Sequence, residues 1–265
     1  MSEVTVIGGG IIGVCCALSL QRQGIGTTLI ERGDIGGEAT LGNCALMARS
    51  EIVPLSKPGV MKKLPGWILD SEGPLAVRPG HLPTAIPWLL KFLRNARADR
   101  VAQICHGLGE IAKLAQDDFD NVIEAANIKD IWAENEVLYL YDSKSQYDAD
   151  TFSWNLREAE GCFVTPLNKY ELRDLEPDVK TDGKFGVIAN GWKSFTNPQR
   201  LTKELANFFV ASGGQIIAQD VARITMLNGR ADQVKFENGD IIKLDKLVVA
   251  SGSWAGRLLS DMRIR

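Results

Sequence analysis

Three glycines and one acid near the start of the chain have the spacing that a dinucleotide ligand requires. Gly8, Gly10 and Gly13 fill a G-x-G-x-x-G frame after the β-branched residues 4–7, and Glu31 follows 18 residues after Gly13. The first glycine permits a tight turn, the second lets backbone approach a pyrophosphate, and the third lets a helix pack closely on the strand. The phosphates bind at the positive helix N-terminus, and the acid accepts hydrogen bonds from a ribose diol. The pattern therefore predicts a dinucleotide site rather than a glycine turn without a ligand.

The elements that position this motif are those of an α/β fold. Residues 4–7 and 27–30 are typical of buried parallel strands, with a helical pattern between them that stops at Gly24. A second strand–glycine–helix pattern occupies residues 246–259, near the end of the chain. We therefore predict a Rossmann-like, discontinuous nucleotide-binding domain of residues 1–50 and 197–265. Residues 51–196 are predicted to form an inserted, mixed α+β domain, so that the whole chain is α+β.

Further elements follow from periodicity and turn residues. Residues 33–60 are irregular and glycine-rich, and loops of that length usually carry function. The pairs Asn228-Gly229 and Asn238-Gly239 are typical of hairpin turns. The predicted helices cover residues 88–95, 97–127, 151–160 and 198–211.

The bulk composition excludes several classes of function. The chain has 265 residues, 45% of them apolar, and a net charge of -3, which favours neither nucleic acid nor an acidic membrane as a partner. Only two histidines occur, His81 and His106, so we predict no metal site and no histidine-based triad.

Cysteine usage and the first residues indicate a reducing compartment. The five cysteines form no C-x-x-C motif, and we interpret them as reduced thiols. The first predicted strand begins at Val4, which leaves no room for a signal peptide, and no apolar run is long enough to span a bilayer. These observations predict a cytoplasmic protein.

Four segments, in order, connect this chain to a family. They are residues 4–32, residues 38–43, residues 50–60 with 75–79, and residues 247–254. Together they resemble the FAD-dependent D-amino-acid oxidase/dehydrogenase superfamily, and most closely its D-amino-acid dehydrogenase small-subunit group. The first segment is shared by many nucleotide-binding proteins, whereas the second and third are more specific.

The resemblance implies FAD as the cofactor, with residues 1–50 and 197–265 as the FAD-binding domain and residues 51–196 as the substrate domain. Glu31 would hold the adenosine ribose, Arg32 would flank the adenine, and Val221 would offer backbone contacts to it. Ala39 and Thr40 would start a helix that reaches the pyrophosphate. The implied FAD-binding residues are Gly8, Gly9, Gly10, Ile11, Ile12, Gly13, Glu31, Arg32, Ala39, Thr40, Asn43, Val221, Ala250, Ser251 and Gly252.

The implied reaction oxidises the CH–NH bond of D-amino acids, or of cyclic amino acids such as hydroxyproline, to imino and then oxo acids. Flavin N5 would accept the hydride, and the electron acceptor would not be oxygen. Members of the family continue for well over a hundred further residues, so the resemblance also implies a C-terminal truncation and an incomplete catalytic pocket. The alternatives are a glycine- or sarcosine-type amine oxidase that uses O₂, and a truncated, inactive FAD-binding protein. An NAD-dependent dehydrogenase fits Glu31, but residues 38–60 do not resemble that class.

No catalytic residue is assigned from the sequence. Arg49 and Arg78 are candidate cations for the substrate carboxylate, although each also fits a surface salt bridge. Residues 82–100 mix apolar and basic residues, as in helices that lie on a membrane surface. Such a helix would suit peripheral attachment to the inner face of the plasma membrane and electron transfer to the respiratory chain, but it also fits ordinary packing. Trp254 is expected in the core.

Overall fold

The structure, a computed structural model, describes residues 3–69 and 79–262 of the chain. It divides into two compact units. Unit 1 comprises Met1–Leu46, Asn121–Ala133 and Ser194–Arg265, and unit 2 comprises Met47–Asp120 and Glu134–Lys193. The predicted functional domains, residues 1–50 with 197–265 and residues 51–196, stay predictions.

The regular elements have the following bounds. The strands are β1 (Glu3–Ile7), β2 (Gly26–Glu31), β3 (Leu46–Met47), β4 (Trp132–Tyr141), β5 (Val164–Leu167), β6 (Phe185–Phe195), β7 (Gln215–Ala218), β8 (Val221–Leu227), β9 (Arg230–Phe236), β10 (Ile241–Lys243) and β11 (Lys246–Val249). The helices are α1 (Ile11–Arg22), α2 (Val60–Leu69), α3 (Leu82–Arg94), α4 (Ala98–Ala125), α5 (Lys144–Ala149), α6 (Thr151–Ala159), α7 (Lys169–Leu175), α8 (Pro198–Ala211) and α9 (Ala255–Leu258). Within the described residues, no helix is both long and apolar enough to cross a bilayer.

Unit 1 contains a parallel sheet with the strand order β11-β1-β2-β7. In its register Ile7 lies between Ile30 and Val249, so the carboxyl ends of three strands meet at one edge. Val6 and Leu29 are fully buried, as expected for parallel strands that are covered on both faces. The predicted Rossmann-like fold is confirmed, and the edge of the sheet at Ile7 is where such folds bind ligands.

An antiparallel sheet, β10-β9-β8, completes the core of unit 1. Asn228 and Gly229 join β8 to β9 with φ values of 51° and 78°, which confirms the predicted hairpin turn. Val234 and Phe236 of this sheet are buried in one cluster with Ile30 of the parallel sheet. This packing places the start of β8 beside the carboxyl end of β2.

Two local predictions are corrected by the structure. Helix α3 begins at Leu82 rather than at residue 88, because Pro83 lies in the first turn, where its missing N–H costs nothing, and Pro87 is accommodated inside the helix. Residues 34–43, where Ala39 and Thr40 were expected to start a helix, instead form successive turns. Their backbone bonds join residues three apart, such as Leu41 N–H to the Glu38 carbonyl at 3.0 Å. Gly36, at φ 66°, has a left-handed backbone that no α-helix continues.

Candidate dinucleotide-binding site

The three motif glycines have different structural roles. A Cβ atom at Gly13 would lie 1.7 Å from the carbonyl oxygen of Gly8, and one at Gly8 would lie 2.5 Å from that of Ala250. Gly8 also has a φ of 115°, which side chains rarely tolerate. A Cβ at Gly10, in contrast, would approach only Thr40 Oγ1, at 3.4 Å. Gly8 and Gly13 are therefore required for packing, whereas Gly10 keeps the space in front of α1 open.

The N-terminus of α1 provides an anion site next to Gly10. Gly10 is the N-cap residue and offers no side-chain acceptor to the first N–H groups of the helix. One of them, Ile11 N–H, donates to Thr40 Oγ1 over 3.1 Å. The Thr40 hydroxyl is buried and retains its own proton for donation. Helix N–H groups and a hydroxyl donor together match the needs of a phosphate.

Glu31 ends β2 and connects the glycine loop to the segment that follows it. Its carboxylate accepts from Gly9 N–H at 2.6 Å and from Gly33 N–H at 2.9 Å, one bond to each oxygen. A carboxylate offers about four acceptor positions, so two remain for other donors. Glu31 is thus a structural bridge that keeps acceptor positions of the kind a ribose diol requires.

Arg32 and Trp254 contact each other at the wall of the site. The guanidinium carbon of Arg32 lies 4.4 Å from the centre of the Trp254 ring, and its Nη2 lies 3.5 Å from Glu38 Oε1. Trp254 was expected in the core, but it is 46% exposed and lines the cavity described next. The expectation was wrong because Trp254 ends a 3₁₀ turn that begins at Gly252 beyond the last strand, and nearly half of the residue's surface stays exposed there.

A cavity of about 340 Å³ in unit 1 brings these groups together. It is lined by every predicted FAD-binding residue except Gly9 and Gly13. Gly9 donates its N–H to Glu31, and Gly13 packs on Gly8. The prediction missed other lining residues, some of them next to predicted ones in the chain and others further away. They include Asp34, Gly36, Gly37, Glu38, Gln219, Asp220, Glu237, Ser253, Trp254 and Arg257.

Acidic side chains outnumber basic ones around the cavity. Backbone N–H groups and the Thr40 hydroxyl lie at the start of α1, and the Glu31 carboxylate bonds the glycine loop through Gly9 N–H. The lining acids are Glu31, Asp34, Glu38, Asp220 and Glu237. Two cations, Arg32 and Arg257, offset them in part. This lining suits a pyrophosphate at the helix and a neutral ribose at Glu31, and it disfavours a phosphate on the 2′-hydroxyl.

Two polar atoms on the cavity wall lack a protein partner. Gln219 Oε1 and Ser251 Oγ are buried and have no hydrogen-bond partner among the described residues. Both residues line the cavity. An unsatisfied buried acceptor costs free energy, so such atoms are expected to bond a ligand or water. The residues present therefore fit a dinucleotide in both shape and hydrogen-bonding capacity.

Sequence comparison identifies the family of which this site is typical. Residues 3–265 match the family described as DAO, FAD dependent oxidoreductase. The chain belongs to this family. The resemblance predicted from four segments is confirmed, and the predicted cofactor, FAD, is that of the family.

Individual relatives agree with this assignment. A D-amino-acid oxidase of Bradyrhizobium diazoefficiens is 32% identical over 263 residues, which are 98% of this chain and 62% of that protein. D-amino acid dehydrogenase 2 of Ralstonia nicotianae is 36% identical over 271 residues, 99% of this chain and 63% of that protein. The crystallised L-amino acid deaminase of Proteus vulgaris shares the fold, with a TM-score of 0.66, 17% identity, and coverage of 100% of this chain and 56% of that one. The chain thus spans less than two thirds of each relative's length.

The structure describes only one of the two candidate cations for the substrate carboxylate, Arg49 and Arg78. Arg49 lies in unit 2, and none of the described acids forms an ion pair with it. Its Nε is buried without a hydrogen-bond partner among the described residues, and its Nη atoms lie beside Gly161 and Gly191, both at positive φ. The surface salt bridge considered for Arg49 is therefore not seen. Arg78 lies outside the described residues.

A buried polar network in unit 2 holds the start of the family-specific segment 50–60. The Ser50 side chain is fully buried, and its Oγ accepts from Trp192 Nε1 at 3.0 Å and lies 3.1 Å from the Tyr139 hydroxyl. Arg157 Nε donates to the Ser50 carbonyl at 2.9 Å, while its guanidinium lies 4.5 Å from the Trp154 ring centre. Tyr139 also donates to the Glu51 carboxylate. Burial, followed by this bond to Glu51, raises the pKa of Tyr139 to about 12.

One cluster in unit 2 has the residue types of a metal site. Ligand atoms of His106, Glu110 and Glu160 lie within 4.8 Å of one another. His106 Nδ1 lies 2.9 Å from Glu160, and Lys113 Nζ bonds Glu110 and Glu160 at 2.9 and 3.1 Å. The hydrogen bond to His106, assisted by Lys113, lowers the pKa of Glu160. The lysine ammonium already compensates both carboxylates, so the arrangement is that of an ion-pair network.

Proposed function

We propose that this chain binds FAD in the cavity of unit 1 and forms part of a dehydrogenase that oxidises the CH–NH bond of D-amino acids, or of cyclic amino acids such as hydroxyproline. The observation that carries the proposal is one cavity lined by a helix N-terminus, Thr40 and Glu31. Donors for a pyrophosphate and an acceptor for a ribose are what the ADP half of a dinucleotide requires. Family membership supports FAD rather than NAD as that dinucleotide.

Each group in the cavity has a role in this proposal. The N–H groups at the start of α1 and the Thr40 hydroxyl would hold the pyrophosphate, and the open space at Gly10 lets it approach. Glu31 would accept from the ribose, and Arg32 would flank the base. When bound, FAD supplies the hydride acceptor, so this chain needs to supply binding and orientation rather than a strong base.

The proposed substrate is a D-amino acid because two relatives are named for D-amino-acid oxidation. Arg49 is the proposed cation for its carboxylate, since the Nε of this guanidinium is buried without a protein partner among the described residues. Arg78 remains a second candidate from the sequence. A glycine- or sarcosine-type oxidase that uses O₂ is the main alternative, and an FAD-binding protein without activity is the other.

The proposed electron acceptor is a respiratory-chain component, reached from the inner face of the plasma membrane. Helix α3 supports this proposal: Ile86, Trp88 and Leu90 are 48, 52 and 63% exposed, and Lys91 and Arg94 lie on the same helix. Exposed apolar residues with neighbouring cations are typical of helices that lie on anionic lipid surfaces. Cosedimentation with anionic and with neutral vesicles tests this contact directly, and equal recovery from both would contradict it.

FAD binding is tested first, by titrating the purified chain with FAD and following flavin fluorescence. Gly10→Val is the decisive variant, because a side chain at Gly10 meets only Thr40 and is expected to fold while it fills the phosphate position. We expect the variant to lose roughly 100-fold or more in affinity, as charge-assisted bonds to the phosphates are lost. Gly256→Ala, where a Cβ contacts nothing within 4 Å, is the matched control. Unchanged affinity in a folded Gly10→Val protein would overturn the site.

The activity is tested on the FAD-loaded chain with D-alanine and D-proline, and with the L-enantiomers as controls. Bleaching of the flavin by D-amino acids and reduction of an artificial dye would support the dehydrogenase. Bleaching with peroxide release in air would favour the O₂-dependent alternative. A stable flavin spectrum with every substrate would favour an FAD-binding protein without activity.

A further inference from the structure

One flank of helix α4 exposes large apolar side chains. Leu108, Ile111 and Leu114 are 41, 64 and 64% exposed. The face of α4 that packs inside unit 2 is a different one, since Val101 and Cys105 are buried there in one cluster. Helix residues that point away from the core are normally polar, so an exposed apolar run on α4 indicates a contact surface.

The residues of this flank recur at alternating intervals of four and three. We call them the α4 seam, and they are Arg100, Ile104, Gly107, Ile111, Leu114 and Asp118. This alternation is the spacing at which two helices pack along a common line. At 1.5 Å per residue the α4 seam is about 27 Å long. It lies entirely within unit 2.

Gly107, near the middle of the α4 seam, leaves open space on the helix surface. At the neighbouring Gly109, a Cβ would lie 2.6 Å from Glu160 Oε2, so packing within the chain accounts for that glycine. At Gly107, a Cβ would meet nothing within 4 Å, and the residue is exposed. A glycine inside a helix costs about 1 kcal/mol relative to alanine. No packing among the described residues accounts for this cost, whereas a side chain inserted from another molecule would use the space.

Opposite charges occupy the two ends of the α4 seam. Arg100 and Asp118 are exposed, and neither forms an ion pair within the described ranges. Arg100 Nη1 donates to the neutral Gln103 side chain at 3.0 Å. If two copies of α4 pack antiparallel, Arg100 of each copy lies opposite Asp118 of the other. A parallel pair would instead place like charges together, so the charges favour the antiparallel pair.

The same antiparallel register also fits the apolar positions. It places Ile104 of one copy opposite Leu114 of the other, and Ile111 opposite the open space at Gly107. The opposite flank of α4 is already occupied, since His106, Glu110 and Lys113 form the ion-pair network with Glu160. Shape and charge along the α4 seam are therefore complementary to a second copy of itself.

We propose that the α4 seam is a homodimer interface, in which α4 of a second copy packs antiparallel to it. A contact between two helices is smaller than the roughly 800 Å² that each partner buries in a standard interface. The dimer is therefore weak, with a dissociation constant on the order of 10–100 μM. This inference goes beyond the proposed function, because it concerns unit 2 and needs no FAD.

Sedimentation equilibrium of the purified 265-residue chain, over concentrations that bracket this range, tests the dimer. Ile111→Glu places two carboxylates in the centre of the interface and is expected to weaken dimerisation at least about 30-fold. Ile111 is exposed in one copy, so this variant is expected to fold, and circular dichroism checks that it does. The matched control is Ile241→Glu, because Ile241 is 55% exposed on β10 of unit 1. It should dimerise as the wild type does.

Charge reversal tests the antiparallel orientation. Arg100→Asp alone, or Asp118→Arg alone, creates two like-charge contacts per dimer and should weaken dimerisation roughly three- to tenfold at low salt. The double variant with both changes restores opposite charges at both ends and should recover wild-type dimerisation. In a parallel pair, neither single change would add a repulsion. Single variants that dimerise as the wild type does would therefore contradict the antiparallel pair.

Three other results would overturn the proposal. The first is a wild-type chain that stays monomeric at the highest concentration. The second is a folded Ile111→Glu protein that dimerises as well as the wild type, which would place the interface elsewhere. The third is a monomeric chain whose recovery with anionic vesicles falls in Ile111→Glu, which would assign the α4 seam to a lipid surface. None of these results depends on FAD binding, which the flavin titration measures separately.

Discussion

The cavity of unit 1 and the Ser50 network of unit 2 use polar groups in opposite ways. Around Ser50, the hydroxyl and the carbonyl bond to Trp192, Tyr139 and Arg157. In the cavity, Gln219 Oε1 and Ser251 Oγ are buried without a described protein partner. A satisfied network stabilises a unit, whereas unsatisfied groups lower its stability until a ligand binds. The difference agrees with the proposal that the polar groups of the cavity serve binding, whereas those of the network stabilise unit 2.

The largest expected effect is the loss of stability on substitution of Gly13, one of the two glycines required for packing. In Gly13→Val, the new Cβ would lie 1.7 Å from the Gly8 carbonyl oxygen, and that backbone cannot move without breaking the glycine loop. We expect a loss of about 4 kcal/mol or more in the free energy of unfolding, measured by urea denaturation. Gly10→Val should lose FAD but little stability, which separates the two glycines. A Gly13→Val protein with wild-type stability would contradict the packing role.

The second effect breaks the network of unit 2. Arg157→Met removes the donor to the buried Ser50 carbonyl and the contact with the Trp154 ring. We expect a loss of about 2–4 kcal/mol in the free energy of unfolding, with ADP affinity unchanged. The matched control is Arg97→Met. The Arg97 side chain is 72% exposed, against 9% for Arg157, so loss of its ion pair with Asp99 should leave stability nearly unchanged. Loss of ADP binding in a folded Arg157→Met protein would show that the Ser50 network also affects binding, and would contradict the contrast between the two regions.

The smallest effect is a pH dependence at Tyr139. Its pKa is raised from 10.0 to about 12, chiefly by burial, so the folded chain holds this proton more tightly than the unfolded chain. The contribution of this group to stability is therefore complete below pH 10 and is lost as the pH rises from 10 towards 12. Tyr139→Phe should flatten the fall of stability over that window, measured by urea denaturation at each pH. The difference in tyrosinate absorbance between the wild type and Tyr139→Phe reports Tyr139 alone and should rise near pH 12. A rise near pH 10 would contradict the raised pKa of Tyr139.

Local motifs were read correctly from the sequence. Gly8, Gly10, Gly13 and Glu31 lie within one strand–helix–strand unit, where chain geometry alone sets their spacing. The hairpin at Asn228-Gly229 was equally clear, because both residues tolerate the positive φ that the turn demands. Such features depend on neighbours in the chain, so their residue types are sufficient to predict them.

Features that depend on distant segments were either missed in the sequence analysis or predicted wrongly. Gln219 and Trp254 reach the cavity because the sheet order β11-β1-β2-β7 and the packing of β8 bring three separate segments to one edge. Trp254 was assigned to the core because a large apolar side chain is usually buried, but it ends the 3₁₀ turn that begins at Gly252 and is 46% exposed. Ala39 and Thr40 were expected to begin a helix, yet residues 34–43 form turns and Thr40 bonds the N-terminus of α1.

The sequence by itself determined the nucleotide-binding motif, because the motif rests on residue types at short, fixed spacing, and it determined the family and the cofactor class through four segments in order along the chain. The tertiary structure alone decided which glycine is required for packing and which leaves space for a ligand, since that depends on the atoms facing each Cβ position. It also decided which polar atoms remain for a ligand. Hydrogen bonds between residues such as Arg157 and Ser50 link positions 107 apart in the chain, and no local pattern records which buried groups will find such partners.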